Sequence, residues 1–205
     1  VSVGAGYSYG SQGYTHHALE DIAVMRALPG MDVVTPADPF ETVELTRYLV
    51  KSSKPSYLRL GRSGEKQLNI TAPSLSEGAL NPLLKGNDGT ILFTGSIGVL
   101  ALQAREALAK QGKDVGVYSV PFITSLLPTS LVEIAEKGPI VTIEEHSTRG
   151  GLGSAILEMV SLHNIKADVR IMGVSQHNLA EIGDQNYLRL SNGLSVEKIV
   201  ERFSF

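Results

Sequence analysis

The stretch Gly4–Asp21 reads GAGYSYGSQGYTHHALED, with four glycines ahead of a pair of histidines. Thr15 has the side chain of a helix N-cap, which predicts His16 and His17 in the first turn of a helix. A helix N-terminus disfavours imidazolium, and a neutral ring there is suited to moving a proton near neutral pH. Glycines at 10 and 13 would let backbone and ligand approach closely. The competing reading is a polar helix start preceded by turn glycines. Two further readings fail on spacing. A dinucleotide loop opening at Gly4 and Gly6 needs glycine where Tyr9 stands, and Gly10 comes one residue late. Adjacent histidines cannot face one metal ion from a helix, and His146, His163 and His177 are scattered.

Arg62 is a second candidate. It follows the run SYLRLG, at the end of an expected strand, where parallel sheets bind ligands. A guanidinium there can grip a phosphate or a carboxylate; the alternative is a surface ion pair. Arg59, three residues earlier, points to the opposite face of the strand. The run from Gly61 to Glu65 is not a nucleophile elbow, because its fifth residue is Glu. The segment EEHSTRGGLGSA (144–155) also follows a strand and opens a helix. Its glycines read as a tight turn, with an anion nest at the helix N-terminus as the other possibility.

These residues need a scaffold. Apolar spacing from Ala18 to Leu28 is helical, and Pro29-Gly30 ends it. MDVVTP (31–36) is a buried strand. Asp38-Pro39-Phe40-Glu41 opens a helix, with Asp38 as N-cap and Pro39 at the first helical position, running to about Lys51. Residues 63–88 read as a linker with one or two strand-like contacts. Strands at 89–95, 114–120, 139–145 and 167–174 then alternate with helices at 97–111, 129–137, 152–162 and 195–203. This alternation predicts an α/β protein with two parallel or mixed sheets flanked by helices, in two domains at 1–63 and 89–205 joined by 64–88.

Composition narrows the function. A net charge of −3 argues against nucleic acid or an anionic membrane as the main partner. With no cysteine, disulfides, thiolate metal sites and Cys nucleophiles are excluded. No apolar run is long enough for a transmembrane helix. Starting at Val1 without Met or a basic leader, the chain reads as the interior of a longer protein.

GSQGYTHHALEDIAVMRALPGMDVVTPADPFE (10–41) resembles the transketolase family, whose pyrimidine-binding domain carries G-x-T-H-[QH], a helix, R-x-[LI]-P-x-[ML] and P-[AS]-D in this order. The likeness extends through PSYLRLGR (55–62). TGSIGVLALQAREAL and TIEEHSTRGGLGSAI are similar to the family's Rossmann-like C-terminal domain. The form T-H-H-A-L-E-D-I-A is most like transketolases whose halves are separate chains. It also resembles 1-deoxyxylulose-5-phosphate synthase and, more distantly, the beta subunit of 2-oxoacid dehydrogenases.

The resemblance implies a cytoplasmic, thiamine-diphosphate-dependent transferase of the pentose phosphate pathway, moving a two-carbon ketol unit between sugar phosphates. It implies that His16 is catalytic, assisting proton transfer at the donor oxygens. It implies that Arg62 binds substrate phosphate and that Gln12 and His17 contact substrate. Gln12 stands where the family usually has Asp, and an amide can hydrogen-bond a hydroxyl but cannot act as a base. Gly4 stands where many transketolases have histidine. The glutamate that activates the cofactor is expected upstream of Val1, and the Mg²⁺–diphosphate end is expected on an N-terminal domain or subunit. The 205-residue chain alone is therefore expected to be inactive and to bind the cofactor poorly, without a metal of its own. A homodimer through the C-terminal domain is expected. A non-catalytic assembly module is the reading from outside enzymology.

Overall fold

The computed structural model describes residues 1–174 and 180–204, so His177 lies outside the described residues. The first unit is a parallel sheet of β1 (Ser2–Val3), β2 (Asp32–Val34) and β3 (Ser56–Leu60), in the order β1-β3-β2. Helices α1 (Asp21–Arg26) and α2 (Pro39–Lys51) accompany it. The second unit is a five-stranded sheet of β4 (Asn81–Leu84), β5 (Thr90–Thr94), β6 (Gly116–Ser119), β7 (Ile140–Ser147) and β8 (Val169–Val174). Its order is β4-β6-β5-β7-β8, parallel except for β4. Around it run α3 (Gly98–Lys110), α4 (Pro128–Ala135), α5 (Leu152–Leu162), α6 (Gln185–Ser191) and α7 (Val196–Glu201).

The central strands are buried along their whole length; TILFT reads as a largely apolar run, whereas IVTIEEHS ends in the buried polar residues Glu144 to Ser147. α2 begins as its sequence predicts: the Asp38 carboxylate accepts the Glu41 N–H at 2.9 Å, with Pro39 at the first position. β4 lies in the stretch expected as a linker. It pairs with β6, more than thirty residues along the chain, so its local sequence carries little of the signal.

Two kinds of contact weld the units. Phe122 packs with Val34, Leu45 and Leu58, and Ile22, Val33 and Tyr57 share a core with Leu92, Val120 and Leu152. Burying each of these side chains contributes on the order of 2 kcal/mol. Polar groups reinforce them. Asp38 also accepts the N–H groups of Leu68 and Asn69, at 2.9 and 2.7 Å. Buried Glu41 accepts the Ala37 N–H and the Asn81 amide, each at 2.7 Å, and the Ser119 hydroxyl. The 64–88 stretch is thereby pinned into the joint. Among the described residues no helix is long and apolar enough to cross a membrane.

Candidate functional site

β1 and β3 are parallel neighbours, so the segments that follow them leave the same edge of the sheet. The Gly4 N–H is shared between the carbonyls of Leu60 and Gly61, at 3.0 and 3.2 Å, and Gly61 precedes Arg62. The loop after β1 is closed by a two-bond bridge between Gly6 and Ala18, each bond 3.0 Å. Inside it, Gly10–Gln12 and Tyr14–His16 form two short 3₁₀ turns. Gly13 separates them with φ at +82°, which a side chain would strain.

This corrects the expected helix start. Thr15 is not an N-cap, and neither His16 nor His17 lies in an α-helix. The Gly6–Ala18 bridge holds His17 extended, and α1 begins only at Asp21, with no side-chain cap. The helix-dipole argument for His16 therefore falls. The bridge is non-local and leaves no mark on the sequence around Thr15.

His16 and Gln12 are exposed, and His16 Nδ1 lies 3.1 Å from the Thr15 hydroxyl. His17 is buried beneath them. Its Nε2 lies 3.1 Å from the Gly10 carbonyl oxygen, and its ring meets Tyr7 edge-on at 5.1 Å. The second unit buttresses the same loop. Glu145, at the end of β7, accepts the Tyr7 N–H, the Gln185 amide at 2.9 Å and the Arg189 guanidinium. A Cβ at Gly10 would meet Leu188 and the Gly183 carbonyl. Arg62 is exposed and lines a cavity of about 530 Å³ with Asp38, Ser63, Glu65 and Ser96. Gln12, His16 and His17 do not line this cavity. The structure thus puts Arg62 and the His16 loop on one sheet edge but not in one pocket.

Behind this edge lies a buried ionic joint that the sequence did not reveal. Arg59, 2% exposed, donates to both Asp21 carboxylate oxygens, at 2.7 and 3.1 Å, and to the carbonyls of Ala18 and Glu145. Tyr57 donates to Asp21 at 2.7 Å. Burial pushes the Asp21 carboxyl up, but the Arg59 charge and the hydrogen bonds of Arg59 and Tyr57 outweigh it and hold it below the usual range. His146 is wholly buried; desolvation, then the Arg59 charge, lowers it to about 4. Its Nδ1 lies 2.8 Å from the Ser147 carbonyl oxygen and its Nε2 3.4 Å from the Ala23 nitrogen. Glu144 accepts the N–H groups of Leu152 and Gly153 at the start of α5, at 2.6 and 2.9 Å. The glycine turn is thus a nest filled by the chain's own carboxyl, which burial pushes up to about 7.

A pH dependence follows. His146 stays neutral in the fold to about 4, so below its ordinary value near 6.5 the unfolded chain takes up the proton first and stability falls on acidification. Glu144 has the opposite sign: its proton stabilises the fold below about 4.5 and that contribution is lost as pH rises through about 7. Between about 4.5 and 6.5 the two slopes cancel. Glu144→Gln removes one of them. Urea unfolding of that variant should then show stability falling by up to about 1.4 kcal/mol per pH unit from 6.5 to 5. Over that window the variant should lose more stability per pH unit than the parent chain, and a variant slope equal to the parent's would show the assignment to be wrong.

The edge presents an imidazole, an amide and a guanidinium, which suit sugar hydroxyls and a phosphate. No group of three or more His, Asp or Glu side chains placed to hold a metal occurs among the described residues.

Residues 1–65 match the transketolase pyrimidine-binding domain, and residues 78–199 match the transketolase C-terminal domain. An apulose-4-phosphate transketolase subunit from Phocaeicola vulgatus is 35% identical over 208 residues, covering 97% of this chain and 64% of that protein. 1-Deoxy-D-xylulose-5-phosphate synthase 1 of Geobacter metallireducens is 32% identical over 197 residues, covering 94% of this chain and 31% of the synthase. Among solved structures, a split-gene transketolase described as an inactive beta4 tetramer superposes with a TM-score of 0.85 at 31% identity, covering 98% of this chain and 63% of that one. The chain spans less than two thirds of the length of each of these relatives. With the C-terminal domain match alone taking in more than half of its residues, the chain belongs to the transketolase family.

Proposed function

We propose that the chain is part of the second subunit of a split transketolase, which transfers a two-carbon ketol unit from a ketose phosphate to an aldose phosphate. The observation that carries this reading is the placement of exposed Gln12 and His16 on a clamped loop, at the sheet edge from which Arg62 also emerges. Thiamine diphosphate, once bound, supplies the nucleophilic carbon that takes up the two-carbon unit. Its Mg²⁺ and diphosphate are held by an N-terminal domain or subunit, in a cytoplasmic assembly that also pairs through the C-terminal domain.

The chain's own side chains have separable roles. His16 sits over the donor's C1 and C2 oxygens and passes a proton to or from them. Arg62 holds the phosphate by a charge-assisted fork, fixing the length of sugar that reaches His16. Gln12 hydrogen-bonds a donor hydroxyl. His17, buried behind the loop, supports it through the Gly10 carbonyl. The domain limits are proposed at 1–63 and 89–205, with 64–88 between them. Likeness to the deoxyxylulose-phosphate synthase favours a second reading, decarboxylation of pyruvate. The acceptor assay at the end of the Discussion separates the two.

A further inference from the structure

Gly4 follows β1 with φ at +105°, and a Cβ placed there would lie 2.7 Å from Tyr9 Cδ2 and 2.8 Å from Tyr9 Cε2. The Tyr9 ring therefore rests directly on the Gly4 backbone. That backbone is itself fixed by the two bonds to Leu60 and Gly61, next to Arg62. On its other side Tyr9 opens the turn that carries Gln12, and its carbonyl accepts the Gln12 N–H at 2.9 Å. Tyr9 thus stands between the strand end that bears Arg62 and the turn that bears Gln12. Two neighbouring tyrosines are not available to a ligand: Tyr57 bonds Asp21, and Tyr7 is buried at 1% exposure, its hydroxyl without a partner among the described residues. Tyr9 is half-buried, and its hydroxyl makes no hydrogen bond to any described residue. A ring held rigid, with a free polar end, recognises a hydroxyl at little entropic cost.

We propose that Tyr9 is a specificity residue that hydrogen-bonds a mid-chain hydroxyl of the sugar phosphate, at carbon 4 of a ketopentose phosphate, between the phosphate on Arg62 and the hydroxyl on Gln12. This rests on the ketol-transfer reading. A site that hydrogen-bonds a hydroxyl discriminates against the analogue that lacks it, because its own polar group is then left unpaired. Tyr9→Phe keeps the ring over Gly4 and removes only the hydroxyl, so the melting temperature should not change.

The test uses the chain assembled with its N-terminal partner, and two donors: D-xylulose 5-phosphate and its 4-deoxy analogue. Tyr9→Phe should lower kcat/KM about tenfold for the first and leave the second unchanged. An equal fall for both donors, or no fall for either, overturns the proposal. If the parent assembly turns over neither sugar, the ketol-transfer reading fails, and equilibrium titration of the same two sugars decides Tyr9. Affinity lost by Tyr9→Phe for the hydroxylated sugar alone supports it; unchanged or equally lowered affinity for both overturns it.

Discussion

In the assembled enzyme, His16→Ala lowers kcat for ketol transfer by about 10²- to 10⁴-fold, the range for a positioned general acid–base group. The thermal midpoint should move by no more than about 2 °C, because an exposed side chain without buried partners contributes within about 0.5 kcal/mol. The two readouts separate chemistry from folding. His16 carries one short contact, to Thr15, while the loop beneath is held by the Gly6–Ala18 bridge, by His17 and by Glu145. Removing the ring therefore leaves the loop in place. His16→Gln restores a hydrogen bond but no proton, and should recover part of KM and little of kcat. A parent-like kcat in His16→Ala would remove His16 from the mechanism.

The largest expected loss of stability is at Arg59. Arg59→Met should cost about 3 kcal/mol, because it leaves the half-buried Asp21 carboxylate without its counter-charge. It also removes a guanidinium N–H from the carbonyls of Glu145 and Ala18, the latter keeping the Gly6 N–H. For a chain of this size that is a fall of about 6–12 °C in melting temperature. Arg59→Met combined with Asp21→Asn should recover part of the loss, since the stranded charge is gone. Urea unfolding of the two single variants and the double variant measures this. A cost below about 1 kcal/mol for Arg59→Met would mean that Asp21 finds water instead, and that the bond from Arg59 to the Glu145 carbonyl adds little to the joint between the units. Because Arg59 bonds β7 through the Glu145 carbonyl, the loss should extend to the Tyr7–Glu145–Arg189 contacts that steady the His16 loop.

What the sequence made legible was local or continuous. Asp38-Pro39-Phe40-Glu41 announced α2 because a cap, a proline and a carboxyl within four residues build their own helix start. β2 and β5 announced themselves by short apolar runs, Val33-Val34 and Ile91-Leu92-Phe93. Arg62 was legible because a strand end is a local property. What failed depended on distant partners. The Gly6–Ala18 bridge overrode the N-cap signal of Thr15, and β4 exists through its pairing with β6. α6 was missed: its seven residues carry the buried pair Leu188 and Arg189, too short a stretch for helical spacing to show. The partnership of Arg59 with Asp21 spans the length of α2 and could not be counted along the chain. Glu144 was half-visible, since a carboxylate pair before a glycine turn and a helix is a local sign of a filled nest. The pressing of Tyr9 on Gly4 has no sequence signature.

The roles given to His16 and Arg62 require that this chain supply the proton-transfer and phosphate-holding face of a ketol-transfer site completed by another domain or subunit. The deciding assay combines the chain with its N-terminal partner, thiamine diphosphate and Mg²⁺. It follows product from D-xylulose 5-phosphate with an aldose phosphate acceptor, beside a parallel reaction given pyruvate. The expected result is ketol transfer to the aldose phosphate by the combined subunits, none by either alone, and no release of carbon dioxide from pyruvate. Turnover of pyruvate without transfer from the ketose, or transfer by the partner in the absence of this chain, would contradict it.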